Sequence, residues 1–142
     1  MSIWKIKATP EQINQGAPGN MMEHLGMLIT EVGEDYLVGT MPVDHRTIQP
    51  MGLLHGGASV VLAETLGSIA GSLSCNAPDE YVVGLEINAN HIKSARSGLV
   101  TGTARPVHVG GRTQVWEIRI TNEAQELVCI SRITLAVIQK KK

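Results

Sequence analysis

The sequence predicts an α+β domain in which one long, largely apolar helix is wrapped by a curved antiparallel sheet of about six strands. Three observations carry this prediction. Residues 57–74 form the one long helical segment, strand-like runs follow one another after Pro78, and only polar or glycine-rich turns separate those runs. Without crossover helices the sheet cannot be doubly wound and parallel. The 142 residues suit a single domain over 1–142 with one core. Phenylalanine is absent and the aromatics are Trp4, Tyr36, Tyr81 and Trp116, so aliphatic residues and Met must fill that core.

In chain order, Thr9-Pro10-Glu11-Gln12 combines an N-cap, a proline at the first helical position and a glutamine three residues after the cap. That signals a short helix ending near Gly16. A further helical turn is expected at 20–25, then strands at 27–32 and 36–43 joined by Gly33-Glu34-Asp35 as a hairpin turn. The loop 44–54 leads into the long helix, along which Ala63, Gly67 and Gly71 recur at spacing four. Simple packing against the sheet explains such a strip. Four more strands are predicted at 81–93, 99–109, 113–121 and 127–138. In the third, Gln114, Trp116, Ile118 and Ile120 share one face, and alternation with polar residues makes it half-exposed. The last is apolar on both faces, as a central strand or one at a subunit interface would be. Residues 139–142 read as a solvated tail.

A net charge of −1 with scattered basic residues gives no footprint for nucleic acid. The N-terminus lacks the apolar run of a signal peptide, and the stretch 58–73 is too short and too interrupted by Glu64 to span a bilayer, so a cytoplasmic protein without membrane contact is expected. Cys75 falls near the C-terminal end of the helix, where the dipole disfavours a thiolate, and Cys129 lies in an apolar strand; neither is expected to be a nucleophile or a disulfide partner. His24, His45, His55, His91 and His108 show no short paired spacing, and no cysteine cluster joins them, so no metal site is expected.

The long helix carries a lone carboxylate, Glu64, in its apolar middle. Taking a charge out of water costs several kcal/mol unless compensated, so Glu64 has a partner or a task. The partner would be Arg46 or Arg96. For the task, His55-Gly56-Gly57 opens the helix, and free first-turn N–H groups at the positive end of its dipole can face a carbonyl oxygen that gains charge during acyl transfer. Alternatively the two glycines only permit a tight turn; with Glu64 on the same helix, the oxyanion reading is favoured. Glu64 could act as general base on water or attack the acyl carbon itself. Ser68, at i+4, could orient the carboxylate or the water, and Gln49 offers both donor and acceptor groups. His55 either donates to the same carbonyl or holds the loop.

Three blocks in order, QPMGLLHGGASVVLAETLGSIAG from Gln49, VVGLEINANHIKSAR from Val82 and VHVGGRTQVWEI from Val107, resemble the hotdog-fold acyl-CoA thioesterases over nearly the whole chain. The resemblance implies the hotdog fold and hydrolysis of acyl-CoA thioesters, with an aromatic acyl group of the 1,4-dihydroxy-2-naphthoyl-CoA or benzoyl-CoA type favoured. It implies Glu64, Gly56, His55, Gln49 and Ser68 as the catalytic set. Substrate and coenzyme A would be held by Val83, Gly84, His91, Ile92, Lys93, Ser94 and Arg96, and by His108, Val109, Gly110, Gly111, Arg112 and Thr113. Basic and hydroxyl groups in the first of these segments suit nucleotide phosphates. Gly110-Gly111 offers exposed N–H groups or close passage of a pantetheine arm, though by itself it reads as a hairpin turn flanked by solvated charges. No metal or organic cofactor is implied, coenzyme A being part of the substrate; carrier-protein thioesters are a second substrate form, and the assembly would be at least a homodimer, with dimers pairing into a tetramer.

Two rivals remain on the sequence. A hotdog hydratase or dehydratase also places a histidine and a helical acid across a subunit interface, but the Phe-Pro-Gly that follows the histidine there is Gly56-Gly57 here. A non-catalytic acyl-CoA sensor would need an output domain. Finally, Gly56 and Glu64 are eight residues apart, about 12 Å along one helix, too far for both to reach one carbonyl. The site is therefore expected to be shared between two chains whose long helices run antiparallel about a two-fold axis.

Overall fold

The computed structural model describes residues 1–141. Two short helices, α1 (Pro10–Asn14) and α2 (Met21–His24), precede β1 (Leu28–Val32) and β2 (Leu37–Pro42). The long helix α3 (Gly56–Leu73) follows, then β3 (Glu80–His91), β4 (Leu99–Val109), β5 (Thr113–Thr121) and β6 (Leu127–Gln139). All six strands join one sheet in the order β1-β2-β4-β5-β6-β3, every pair antiparallel. This is the predicted α+β arrangement, with α3 in contact with β2 through β6 on one face.

Local chemistry accounts for the starts. Thr9 and Gln12 form the reciprocal capping box expected at α1. Asn14 then ties α1 to the sheet, its amide donating to Ile29 O at 2.9 Å and accepting from Ile29 N at 2.8 Å. Gly33 N donates to Tyr36 O at 2.8 Å and closes the β1–β2 hairpin. Helix α3 starts one residue earlier than predicted because His55 caps it, Nδ1 accepting from Gly57 N at 2.8 Å.

Ala63, Gly67 and Gly71 are buried against the sheet, and a Cβ on Gly67 would lie 2.5 Å from Ile133 Cγ2. The small-residue strip is thus a packing device. From β5, Gln114, Trp116, Ile118 and Ile120 are all buried beneath the helix, the face their alternation predicted. The amide of Gln114 accepts from Trp116 Nε1 at 2.9 Å and donates to Gly71 O at 3.4 Å. Trp4 stacks on Trp116 with ring centroids 5.9 Å apart, and Lys5 N and Ile6 N both donate to Leu73 O, so the N-terminal segment closes the C-terminal end of α3.

The predicted tail departs from expectation at Gln139, which still belongs to β6; Lys140 and Lys141 are exposed, and Lys142 lies outside the described residues. Strand β6 is an inner strand between β5 and β3, which explains its two apolar faces. The long edge strand is β3. Its unpaired backbone side and the exposed Tyr81, Val83 and Leu85 form an edge of the kind that pairs with another strand.

Candidate active site

At the N-terminus of α3, three of the first four amides have partners. Gly57 N donates to the His55 ring, and Ala58 N and Ser59 N donate to His55 O at 3.0 and 3.3 Å. Gly56 N–H alone has no acceptor among the described residues, and it sits at the positive end of the helix dipole. His55 is exposed and is used as a cap, so its Nδ1 is the acceptor and the proton of the neutral ring is on Nε2.

Loops from both sides close in on this amide. His55 N donates to Thr47 O and Leu54 N to Ala95 O, both at 2.8 Å, fastening the loop before α3 to the loop after β3. Gln49 stabilises its own turn: its side-chain oxygen accepts from Met51 N and its carbonyl from Gly52 N, leaving its NH2 group unused. The Arg46 guanidinium beside Asp44 anchors the start of the loop at 2.7 Å and holds the Asp44 carboxyl down to about 2. The result is a cavity of about 330 Å³ lined by Gln49, Leu53, Leu54, Gly56, Ser59, His91, Ile92, Lys93, Ser94 and Val128. A Cβ on Gly56 would lie 2.8 Å from His91 Nε2, so glycine is what lets that ring lie over the helix start.

Glu64 is elsewhere. With Gly84, Leu85, Glu86, Ile87 and Ile133 it lines a separate hollow of about 200 Å³. The premise that it is a buried charge needs correction, since within one chain Glu64 is exposed. It makes no ion pair among the described residues, Arg46 being taken by Asp44 and Arg96 lying exposed in the loop after β3. Ser68 is half-buried one turn on; its carbonyl accepts from Ser72 Oγ at 2.9 Å, and its hydroxyl makes no bond to Glu64.

The two coenzyme-binding candidate segments lie at opposite ends of the sheet. His91 pairs with Cys129, which pairs with Ile120, whereas Gly84 pairs with Leu135, which pairs with Gln114 and so reaches Val109. Six residues of β5 separate the two rows, about 20 Å along the strands. In one chain, then, Gln49, Gly56 and residues 91–94 come together at one end. Glu64, Val83, Gly84 and the 108–113 hairpin gather toward the other. The Gly110-Gly111 pair forms a tight turn, with Gly110 N donating to Thr113 O at 2.9 Å, and His108, Val109, Gly111, Arg112 and Thr113 are exposed around it.

Two features escaped the sequence. Lys93 is already paired with Glu126 at 2.6 Å, and nothing in a separation of 33 residues announces that contact. The bulge that makes Leu85 an extra residue between Gly84 and Glu86 was legible in principle, because a glycine inside a strand marks such sites. Burial pushes both thiols up, Cys75 with help from the negative charge of Glu80. Among the described residues no group of three or more His, Cys, Asp or Glu could hold a metal, and no helix is long and apolar enough to cross a membrane.

A long helix laid across an antiparallel sheet, with a free amide at its N-terminus and a carboxylate midway, is the frame of a hotdog acyl-transfer enzyme. The profile of the thioesterase superfamily matches residues 51–129. A 1,4-dihydroxy-2-naphthoyl-CoA hydrolase of Escherichia coli is 54% identical over 136 residues, covering 96% of this chain and 99% of its own. A proofreading thioesterase of Cronobacter sakazakii is 48% identical, covering 96% and 98%. Among solved structures, a thioesterase of Haemophilus influenzae superposes with a TM-score of 0.94 at 52% identity, covering 96% of this chain and 95% of that one. The chain belongs to the thioesterase superfamily and is a thioester hydrolase with the hotdog fold. That membership displaces the hydratase and sensor alternatives.

Proposed function

We propose that this protein hydrolyses acyl-CoA thioesters carrying an aromatic acyl group, of the 1,4-dihydroxy-2-naphthoyl-CoA or benzoyl-CoA type, at sites shared between two copies of the chain. The naphthoyl-CoA hydrolase of Escherichia coli, 54% identical, supports the substrate class, and a place in menaquinone synthesis goes with that reading. The observation that carries the shared site is the separation of Gly56 N–H from Glu64. The two groups lie on one rigid helix in different hollows, about 12 Å apart along its axis.

Pairing two copies through the open edge of β3 about a two-fold axis would set the two α3 helices antiparallel, bringing Glu64 of one chain opposite Gly56 of the other. The thioester carbonyl then accepts a hydrogen bond from Gly56 N–H, which stabilises the charge that develops on oxygen. The NH2 group of Gln49 is the second donor within the same cavity. Glu64 either removes a proton from the attacking water or adds to the acyl carbon to give a mixed anhydride that water opens. On both routes the C–S bond breaks, a C–O bond forms, and the thiolate leaves to be protonated. Lys93, Ser94, Arg96 and Arg112 hold coenzyme A phosphates in this scheme, with Val83 and the 108–113 hairpin along the pantetheine arm. Water, base and hydrogen-bond donor suffice for the reaction, so we assign it no metal or organic cofactor. Dimers pair further into a tetramer in this reading, and the protein works in the cytoplasm.

The test mixes an inactive Glu64→Ala chain with a chain disabled at Gln49 or His55, refolds them together and assays thiol release from benzoyl- and naphthoyl-type thioesters, short aliphatic ones and acyl carrier protein thioesters, with and without EDTA. Mixed dimers carry both lesions in one site and neither in the other. Random mixing should restore about a quarter of all sites. Absence of recovery would put the whole site in one chain. Thiol release only from aliphatic thioesters would remove the aromatic preference.

A further inference from the structure

Gly84 lies close to the Glu64 carboxylate in the hollow that they share. A Cβ built on Gly84 would lie 2.9 Å from Glu64 Oε2, and the only other atom within 4 Å is Glu64 Cδ at 3.9 Å. Gly84 lies outside the left-handed region of φ, so its backbone makes no demand for glycine. It stands at the bulge of β3, where the register shifts between Gly84 and Glu86. A glycine within a strand weakens it and marks a place where another group comes close. Here the group that comes close is the carboxylate. The second carboxylate of the hollow, Glu86, accepts from Asn88 Nδ2 at 3.0 and 3.1 Å, so Glu64 is the one left free.

We propose that Gly84 is a positioning residue for Glu64: its bare Cα leaves the slot, against the bulged edge of β3, in which the carboxylate rests. This rests on Glu64 being the reacting carboxylate, and it gives Gly84 a task other than contact with substrate. The atom that an added methyl group would meet is the tip of an exposed, flexible side chain. The fold can therefore accept the methyl group, but only by moving the carboxylate from its place. Misplacing a reacting group by about 1 Å costs up to about 10²-fold in rate.

The experiment compares the assembled wild type, Gly84→Ala, Glu64→Ala and the double variant on benzoyl-CoA. Gly84→Ala should lower kcat by about 10- to 100-fold. Its KM, its affinity for a non-hydrolysable benzoyl-CoA thioether, its melting temperature and its sedimentation should remain those of the wild type. In the Glu64→Ala background the same substitution should change the residual rate by less than about twofold, because its effect passes through the missing carboxylate. A rise in KM alone, a full additive loss in the double variant or dissociation of the assembly would each overturn the proposal, since Gly84 would then serve the substrate or the interface. Near-wild-type turnover by Glu64→Ala is a separate outcome; it would overturn the reading of Glu64 and this proposal with it.

Discussion

The two halves of α3 use glycine in opposite ways. In the C-terminal half, Gly71 faces Leu135 and Gln114 as Gly67 faces Ile133, and Cβ atoms there would meet Leu135 Cδ1 at 2.4 Å and Ile133 Cγ2 at 2.5 Å. Those neighbours are fully buried and cannot retreat. At the start and the middle of the helix, Gly56 and Gly84 face His91 and Glu64, the movable ends of exposed side chains. A close approach to apolar core builds the helix into the sheet, whereas a close approach to a polar tip sets the place of a group that can do chemistry. The two halves should therefore respond differently to substitution, one in stability and the other in turnover.

The largest effect is expected in the C-terminal half. Trp116→Ala removes the ring on which Trp4 stacks and leaves Gln114 without its 2.9 Å donor. It should cost about 3–5 kcal/mol in urea unfolding. Specific activity per folded molecule should stay unchanged. A loss of activity at full folding would break the separation of the two halves.

Next comes Glu64→Gln, where the expected response is reversed. Turnover should fall by about 10²-fold or more, the amount that a general base or nucleophile contributes. Unfolding free energy should move by less than about 0.5 kcal/mol, because the side chain is exposed and unpaired within the chain. Retained turnover would make the carboxylate a structural feature.

The smallest effect concerns the loop that carries Gln49. Asp44 is held down to about 2 from an ordinary 3.8, first by the Arg46 side-chain hydrogen bonds and then by Arg46 N. A folded-state value below the unfolded one means that this pair stabilises the protein above the ordinary carboxylate range, and that the contribution is lost as the pH falls through about 2. In Arg46→Ala the Asp44 carboxyl should titrate nearer its ordinary value, followed by NMR. The stability gap to the wild type should be present at neutral pH and close on acidification. A gap that persists in acid would mean that Arg46 acts through its packing beside Gly26 and Pro42 rather than through Asp44.

Much of the frame was legible along the chain because its signals are local. The capping box at Thr9, the alternation in residues 113–121 and the spacing of Ala63, Gly67 and Gly71 each report a face or an end through neighbouring residues, and β4 and β5 begin and end where predicted. The site was legible only in part. Gly56 could be singled out from its position at the helix start, but that it is the one unpaired amide of the first turn depends on how the His55 ring rotates.

By itself the sequence determined the α+β class, the one long helix, the two groups on it that we propose for acyl transfer and their eight-residue separation, since periodicity, capping and helical rise need no knowledge of the rest of the chain. Tertiary structure alone decided which strand forms the open edge, that Glu64 stands exposed there with Gly84 beside it, that Lys93 is engaged by Glu126, and that Trp4 closes the far end of α3 on Trp116. Each of those depends on strand order or on a contact between residues far apart in the chain, where loop closure and side-chain packing, rather than local propensity, select the partner.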